Sequence, residues 1–163
     1  ETVVKHATDA GANVIVNDIY DDTLEHVASK YNAEIFKGDI YDLDMDIYAP
    51  CALGSTINDN TVDRIKFEIV AGAANNQLAL EDKHGTLLKE RGIIYAPDFL
   101  INAGGLINVN SEIAKYSRDE VMTRTEDIYN TTMRIINESD ALEMTTHQAA
   151  LKLAQERIDA AKK

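Results

Sequence analysis

Apolar positions along the chain fall into short blocks whose spacing alternates between a helical and a strand period. The opening "ETVVKHATDAGANVIVND" places Val3, Val4 and Ala7 on one helical face, and Gly11 suits the end of that helix. "NVIVND" then reads as a short buried strand ending in Asp18. Asp22 or Thr23 can cap a second helix running to about Tyr31, and "AEIF" supplies another strand. After the polar "KGDIYDLD", "DIYAP" is a strand stopped at Pro50. "INDNTVDRI" offers a short helix, "FEIVAGAA" a strand, "HGTLLKERG" a helix ending at Gly92, and "GIIYAP" the next strand. From about Ala103 the pattern is helical: one segment to Tyr116, a long one over residues 118–139, and a last one from Thr145. In that last segment Ala149, Ala150, Leu153 and Ala154 recur at helical spacing and are assigned to core packing. Strands alternating with helices at this spacing predict an α/β fold, a doubly wound parallel sheet with crossover helices and a helical C-terminal part.

Composition narrows the function classes. A chain of 163 residues can form one domain with a proper core. Its net charge of −12 argues against nucleic acid and against an anionic membrane surface as partners, since both need clustered Lys and Arg. Acidity is assigned to solubility. The single cysteine, Cys51, rules out an internal disulfide. With no apolar run of membrane-spanning length and no signal peptide, the expectation is a cytoplasmic protein. His6, His26, His84 and His147 show no metal-ligand spacing, so no metal site is expected.

Candidate chemistry begins with "YAPDFLINAGGLINVNSE" (residues 95–112), where a Pro, two adjacent Gly and three Asn interrupt an apolar run. Such an interruption suits a chain that lies close to a ligand. In doubly wound folds, ligands sit beyond the carboxyl ends of the strands. An acid ending the second strand can hold both hydroxyls of an adenosine ribose, and Asp18 occupies such a position; its alternative role is to cap a turn. The following "IYDD" contains no Lys or Arg to receive a 2′-phosphate, and Asp21 and Asp22 would repel one. A dinucleotide site here is therefore expected to prefer NAD over NADP. No GxGxxG occurs, yet the helix, strand and acid of residues 1–18 follow the order found after such a loop. The expectation is a Rossmann-like dinucleotide-binding domain over residues 1–163, lacking its first strand and glycine-rich loop and belonging to a longer polypeptide.

Four segments carry a family resemblance: "DIYAPCALGSTIND", "VAGAANNQL", "GIIYAPDFLINAGGLINV" and "TTHQAALKLAQERID". In order and spacing, the chain resembles the coenzyme-binding domain of the amino-acid dehydrogenase family acting on glutamate, leucine, phenylalanine or valine, and its leucine-specific branch most closely. The resemblance implies reversible NAD-dependent oxidative deamination of branched-chain L-amino acids to 2-oxo acids and ammonia, by a homo-oligomer. The family's catalytic lysines and aspartate belong to an N-terminal domain, so no catalytic residue is assigned here and this chain alone is expected to be inactive. By the same resemblance, Cys51 and Ala52 run beside the ribose on the nicotinamide side. The Cys51 sulfur itself is read as a buried small hydrophobe, not a nucleophile. Asn75 or Asn76 contacts coenzyme or substrate, and Asn102 hydrogen-bonds the nicotinamide carboxamide. Asn102 is expected to follow a strand, with Gly104 and Gly105 letting the next helix start close to the ring. Leu106 and Val109, one turn apart, would line the substrate side-chain pocket; either could instead be an ordinary core residue. Their apolar character disfavours glutamate, whose carboxylate would be buried unpaired. The alternatives are a phenylalanine or valine dehydrogenase, and a non-catalytic NAD-binding module.

Overall fold

The computed structural model describes residues 1–162, which form two compact units, Glu1–Leu43 and the remainder from Asp44. In the first unit, α1 (Thr2–Asp9), β1 (Ile15–Val16), α2 (Asp21–Tyr31) and β2 (Glu34–Ile35) follow one another. β1 and β2 pair in parallel, Ile15 opposite Glu34 and Val16 opposite Ile35. Gly11 takes φ +87° just after α1, the conformation that a residue without Cβ adopts at no steric cost. Helix α2 starts two or three residues earlier than expected: Tyr20 is its N-cap, and Asp21 and Asp22 lie in its first turn. Neither Asp22 nor Thr23 caps it. Two carboxylates in the first turn favour the helix electrostatically instead. Leu24 and Val27, three apart, are its buried face.

The second unit contains β3 (Ile47–Tyr48), β4 (Ile69–Val70), α3 (Glu81–Glu90), β5 (Ile94–Tyr95), α4 (Asp98–Ile101), α5 (Gly104–Ala114), α6 (Arg118–Ala141) and α7 (Thr146–Ala161). Its three strands are parallel in the order β3-β4-β5, with Ile47 opposite Ile69 and Ile69 opposite Ile94. The α/β class and parallel pairing are as expected. Each ladder is shorter than its apolar block, and the crossover from β3 to β4 carries only a 3₁₀ turn at Val62–Arg64. Central β4 buries Val70 completely, and Phe67, Leu88 and Tyr95 are buried with it in the core.

The C-terminal helices are set by their caps. Ser117 with Glu120 and Thr145 with Gln148 form reciprocal capping boxes at the starts of α6 and α7. Between these helices Ile135 packs with Ala149, Ala150 and Leu153, flanked by Leu100 and Met144. Ala154, also assigned to the core, is exposed, because the buried stripe of α7 passes through Leu153. The Lys89 ammonium of α3 donates to the carbonyls of Ser139 (3.1 Å) and Met144 (2.7 Å), fastening the end of α6 to α3. His84 is buried and accepts the Leu80 N–H at Nδ1 (3.0 Å), so its proton sits on Nε2 and faces Asp59 at 2.8 Å.

Leu153 and Leu151 lie two residues apart on α7, one buried and one exposed. In the complete polypeptide, Leu153→Ala is expected to cost about 2–5 kcal/mol in urea denaturation, and Leu151→Ala about 0.5 kcal/mol or less.

Candidate functional site

In the first unit, Asp18 follows β1 and remains exposed. Its Oδ1 accepts the Tyr20 N–H at 3.1 Å, so it does cap a turn, with the carboxylate still open to solvent. Its neighbour Asn17 donates from Nδ2 to the carbonyls of Phe36 (2.8 Å) and Gly38 (3.3 Å), which flank Lys37. Lys37 in turn pairs with Asp21, Nζ to Oδ1, at 2.6 Å. That hydrogen bond raises the pKa of the Lys37 ammonium above its ordinary value. The segment after Asp18 has no Lys or Arg of its own, as expected, but Lys37 is held beside it. The cation arrives from the loop after β2, and only strand pairing brings it there.

In the second unit, the loops after β3, β4 and β5 are laced together. Pro50 ends β3, and a Cβ on Gly72 would fall 2.2 Å from the Pro50 carbonyl oxygen. Glycine is therefore required at the point where the second loop crosses the first. The Ala74 N–H donates to the same oxygen at 2.9 Å. Gly54 is equally tight, its missing Cβ lying 2.7 Å from the Asn75 carbonyl oxygen, while the Ser55 N–H donates to the Asn76 carbonyl at 2.6 Å. Asn76 sits at φ +52°, a left-handed position that asparagine tolerates.

The third loop is joined through side chains. Asn102 Nδ2 donates to Asn75 Oδ1, so of the two candidate asparagines it is Asn75 that meets Asn102. Beneath them lies a buried acid, Asp98. Its Oδ2 accepts the Gln77 N–H at 2.7 Å and its Oδ1 the Phe99 N–H at 2.6 Å. Gln77, fully buried, donates from Nε2 to the carbonyls of Gly72 (2.6 Å) and Ala74 (2.9 Å). The Tyr95 hydroxyl accepts the Asp98 N–H at 3.2 Å, and burial pushes that phenol well above its ordinary range. Gln77 and Asp98 escaped the sequence reading. Their signal was a carboxylate and an amide, each adjoining an apolar strand block.

One expectation changes. Cys51 is exposed, not a buried hydrophobe, because the chain leaves the sheet at Pro50 and residues 51–55 are all exposed. Asn102 follows β5 across the single turn α4, of which it is the C-cap. Gly104 and Gly105 begin α5 as expected, and a Cβ on Gly105 would have no atom of this chain within 4 Å. Leu106 and Val109 are 72% and 60% exposed and continue into exposed Ile113, so they are not core residues of this chain. Ala52 is exposed as well. Among the described residues, no three His, Cys, Asp or Glu side chains converge as a metal site, and no helix is long and apolar enough to cross a membrane.

The Asp98 carboxylate and the Asn102 amide should separate in stability measurements. In the complete polypeptide, Asp98→Ala is expected to cost about 1.5–3 kcal/mol in urea denaturation, because it strands a buried N–H. Asn102→Ala, near solvent, is expected to cost about 1 kcal/mol or less.

Residues 3–163 match the Glutamate/Leucine/Phenylalanine/Valine dehydrogenase family. Leucine dehydrogenase of Thermoactinomyces intermedius is 43% identical over 160 residues, covering 98% of this chain and 43% of that protein. Leucine dehydrogenase of Bacillus subtilis (strain 168) is 44% identical over 156 residues, covering 95% and 43%. The crystal structure of L-tryptophan dehydrogenase from Nostoc punctiforme superposes with a TM-score of 0.92 at 38% identity, covering 97% of this chain and 48% of that one. The chain thus spans less than half the length of these relatives. Its match over nearly every residue, together with the parallel α/β architecture, shows that the chain belongs to the glutamate, leucine, phenylalanine and valine dehydrogenase family.

Proposed function

We propose that residues 1–163 are the dinucleotide-binding domain of an NAD-dependent amino-acid dehydrogenase that oxidatively deaminates branched-chain L-amino acids. The observation that carries this reading is the joined amide pair Asn75 and Asn102 above the start of α5, where Gly105 leaves open space. An amide pair offers both a donor and an acceptor, the complement of a carboxamide. A helix start without side chains lets a flat ring approach. The exposed Asp18 carboxylate is suited to two vicinal ribose hydroxyls. Exposed Cys51 and Ala52 present small side chains just after β3.

In this proposal NAD held by these residues would supply the hydride acceptor for oxidation of the amino-acid α-carbon, the overall reaction with water giving a 2-oxo acid and ammonia. The contribution of this chain is orientation. Asn102 fixes the rotation of the carboxamide and Asn75 fixes Asn102. Asp98 and Gln77 hold the backbone from which Asn75 and Asn102 project. Leu106 and Val109 form an apolar wall suited to a branched aliphatic side chain. A cytoplasmic homo-oligomer belongs to the same proposal. An aromatic substrate is the second reading, favoured by the openness of that wall and by the phenylalanine dehydrogenase relative from Caldalkalibacillus thermarum, 40% identical over 154 residues.

Two measurements on the complete polypeptide test the proposal. Steady-state kinetics should show NAD clearly preferred over NADP, and Asn102→Ala should lower turnover about tenfold or more without unfolding the protein. Unchanged kinetics would make Asn102 a turn residue only, and absence of NAD-linked oxidation of any amino acid would leave the non-catalytic module.

A further measurement concerns the pocket. Leu106→Ala or Val109→Ala should move preference from leucine toward phenylalanine, each methylene being worth about 1–3 kcal/mol of discrimination. An unaltered ranking of leucine, valine and phenylalanine would remove both residues from the pocket.

A further inference from the structure

Lys37 lies among acids, and two independent bonds place it there. Asn17 grips the carbonyls on both sides of it, at 2.8 and 3.3 Å, so its backbone is fixed next to the residue that precedes Asp18. Its ammonium is taken up by Asp21 at 2.6 Å. Both side chains of the pair are more than half exposed, at 58% and 67%. A pair this exposed contributes little to stability, so its consequence lies in where the charge is held. Asp21 is also one of the acids that face an incoming 2′-phosphate.

Resting on the reading of Asp18 as the ribose ligand, we propose that Asp21 is a latch on Lys37 that sets the coenzyme preference. With Asp21 in place, the one ammonium in the loop is neutralised, and a 2′-phosphate meets the remaining carboxylates of Asp18 and Asp22. Without Asp21, the ammonium is free on a flexible stem and can act as a point charge for a phosphate. The NAD preference then depends on a side chain that touches neither ribose hydroxyl. A plain surface staple between α2 and the loop after β2 would behave differently, since Asp21→Asn would then remove only one repelling carboxylate and the resulting gain would not depend on Lys37.

The test uses the complete polypeptide as wild type, Asp21→Asn, Lys37→Ala and the double variant, titrated calorimetrically with 5′-AMP and with adenosine 2′,5′-bisphosphate. Thermal melts of each variant confirm folding. In Asp21→Asn the affinity ratio should shift about fivefold to tenfold toward the bisphosphate, and added salt should shrink the shift. The double variant should lose that gain. A ratio within about twofold of wild type in Asp21→Asn, or a gain that survives in the double variant, overturns the latch alone. A wild type that binds neither 5′-AMP nor NAD overturns the latch together with the reading of Asp18.

Discussion

At Gly72 the loop after β4 comes so close to Pro50 that a Cβ would overlap the Pro50 carbonyl oxygen at 2.2 Å. That oxygen then accepts the Ala74 N–H, and the Gly72 and Ala74 carbonyls both accept from Gln77. Through the Gln77 N–H the chain of bonds reaches Asp98 and the loop that carries Asn102. Everything polar at this rim therefore hangs on one close backbone crossing. Substituting the crossing residue would not delete a contact; it would move three loops.

Much of this was legible along the chain. Apolar blocks located the five strands among the described residues, because apolar and β-branched residues favour a pleated, half-buried surface even where, as at Glu34 or exposed Ile47, a strand position is polar or open. The last two helices were legible from their helical spacing, and the capping boxes at Ser117 and Thr145 that fix their starts are local and need no tertiary information. The glycines and asparagines of the rim stood out because they break apolar runs.

What escaped depends on pairing between distant segments. Asp98 and Gln77 are 21 residues apart and meet only because β4 and β5 lie side by side in a particular register. Lys37 comes 16 residues after Asp21, brought back by the β1–β2 pairing. No local pattern distinguishes either from an ordinary surface or turn residue. The exposure of Cys51 was misread for a related reason: burial of a small residue is decided by what covers it, and residue type alone does not say.

β3 is hydrogen-bonded to β4 on one side only, and β1 to β2 on one side only. The other side of each strand presents backbone donors and acceptors that any extended polypeptide could adopt as a template. Exposed Ile47 adds an apolar invitation on β3. Such edges are where one copy of a protein captures another during synthesis or storage. Here the ladders are only two residues long, too short to hold a foreign strand firmly, and a net charge of −12 keeps copies apart. Among the described residues, brevity and charge thus both oppose pairing at these edges, and salt weakens only the second.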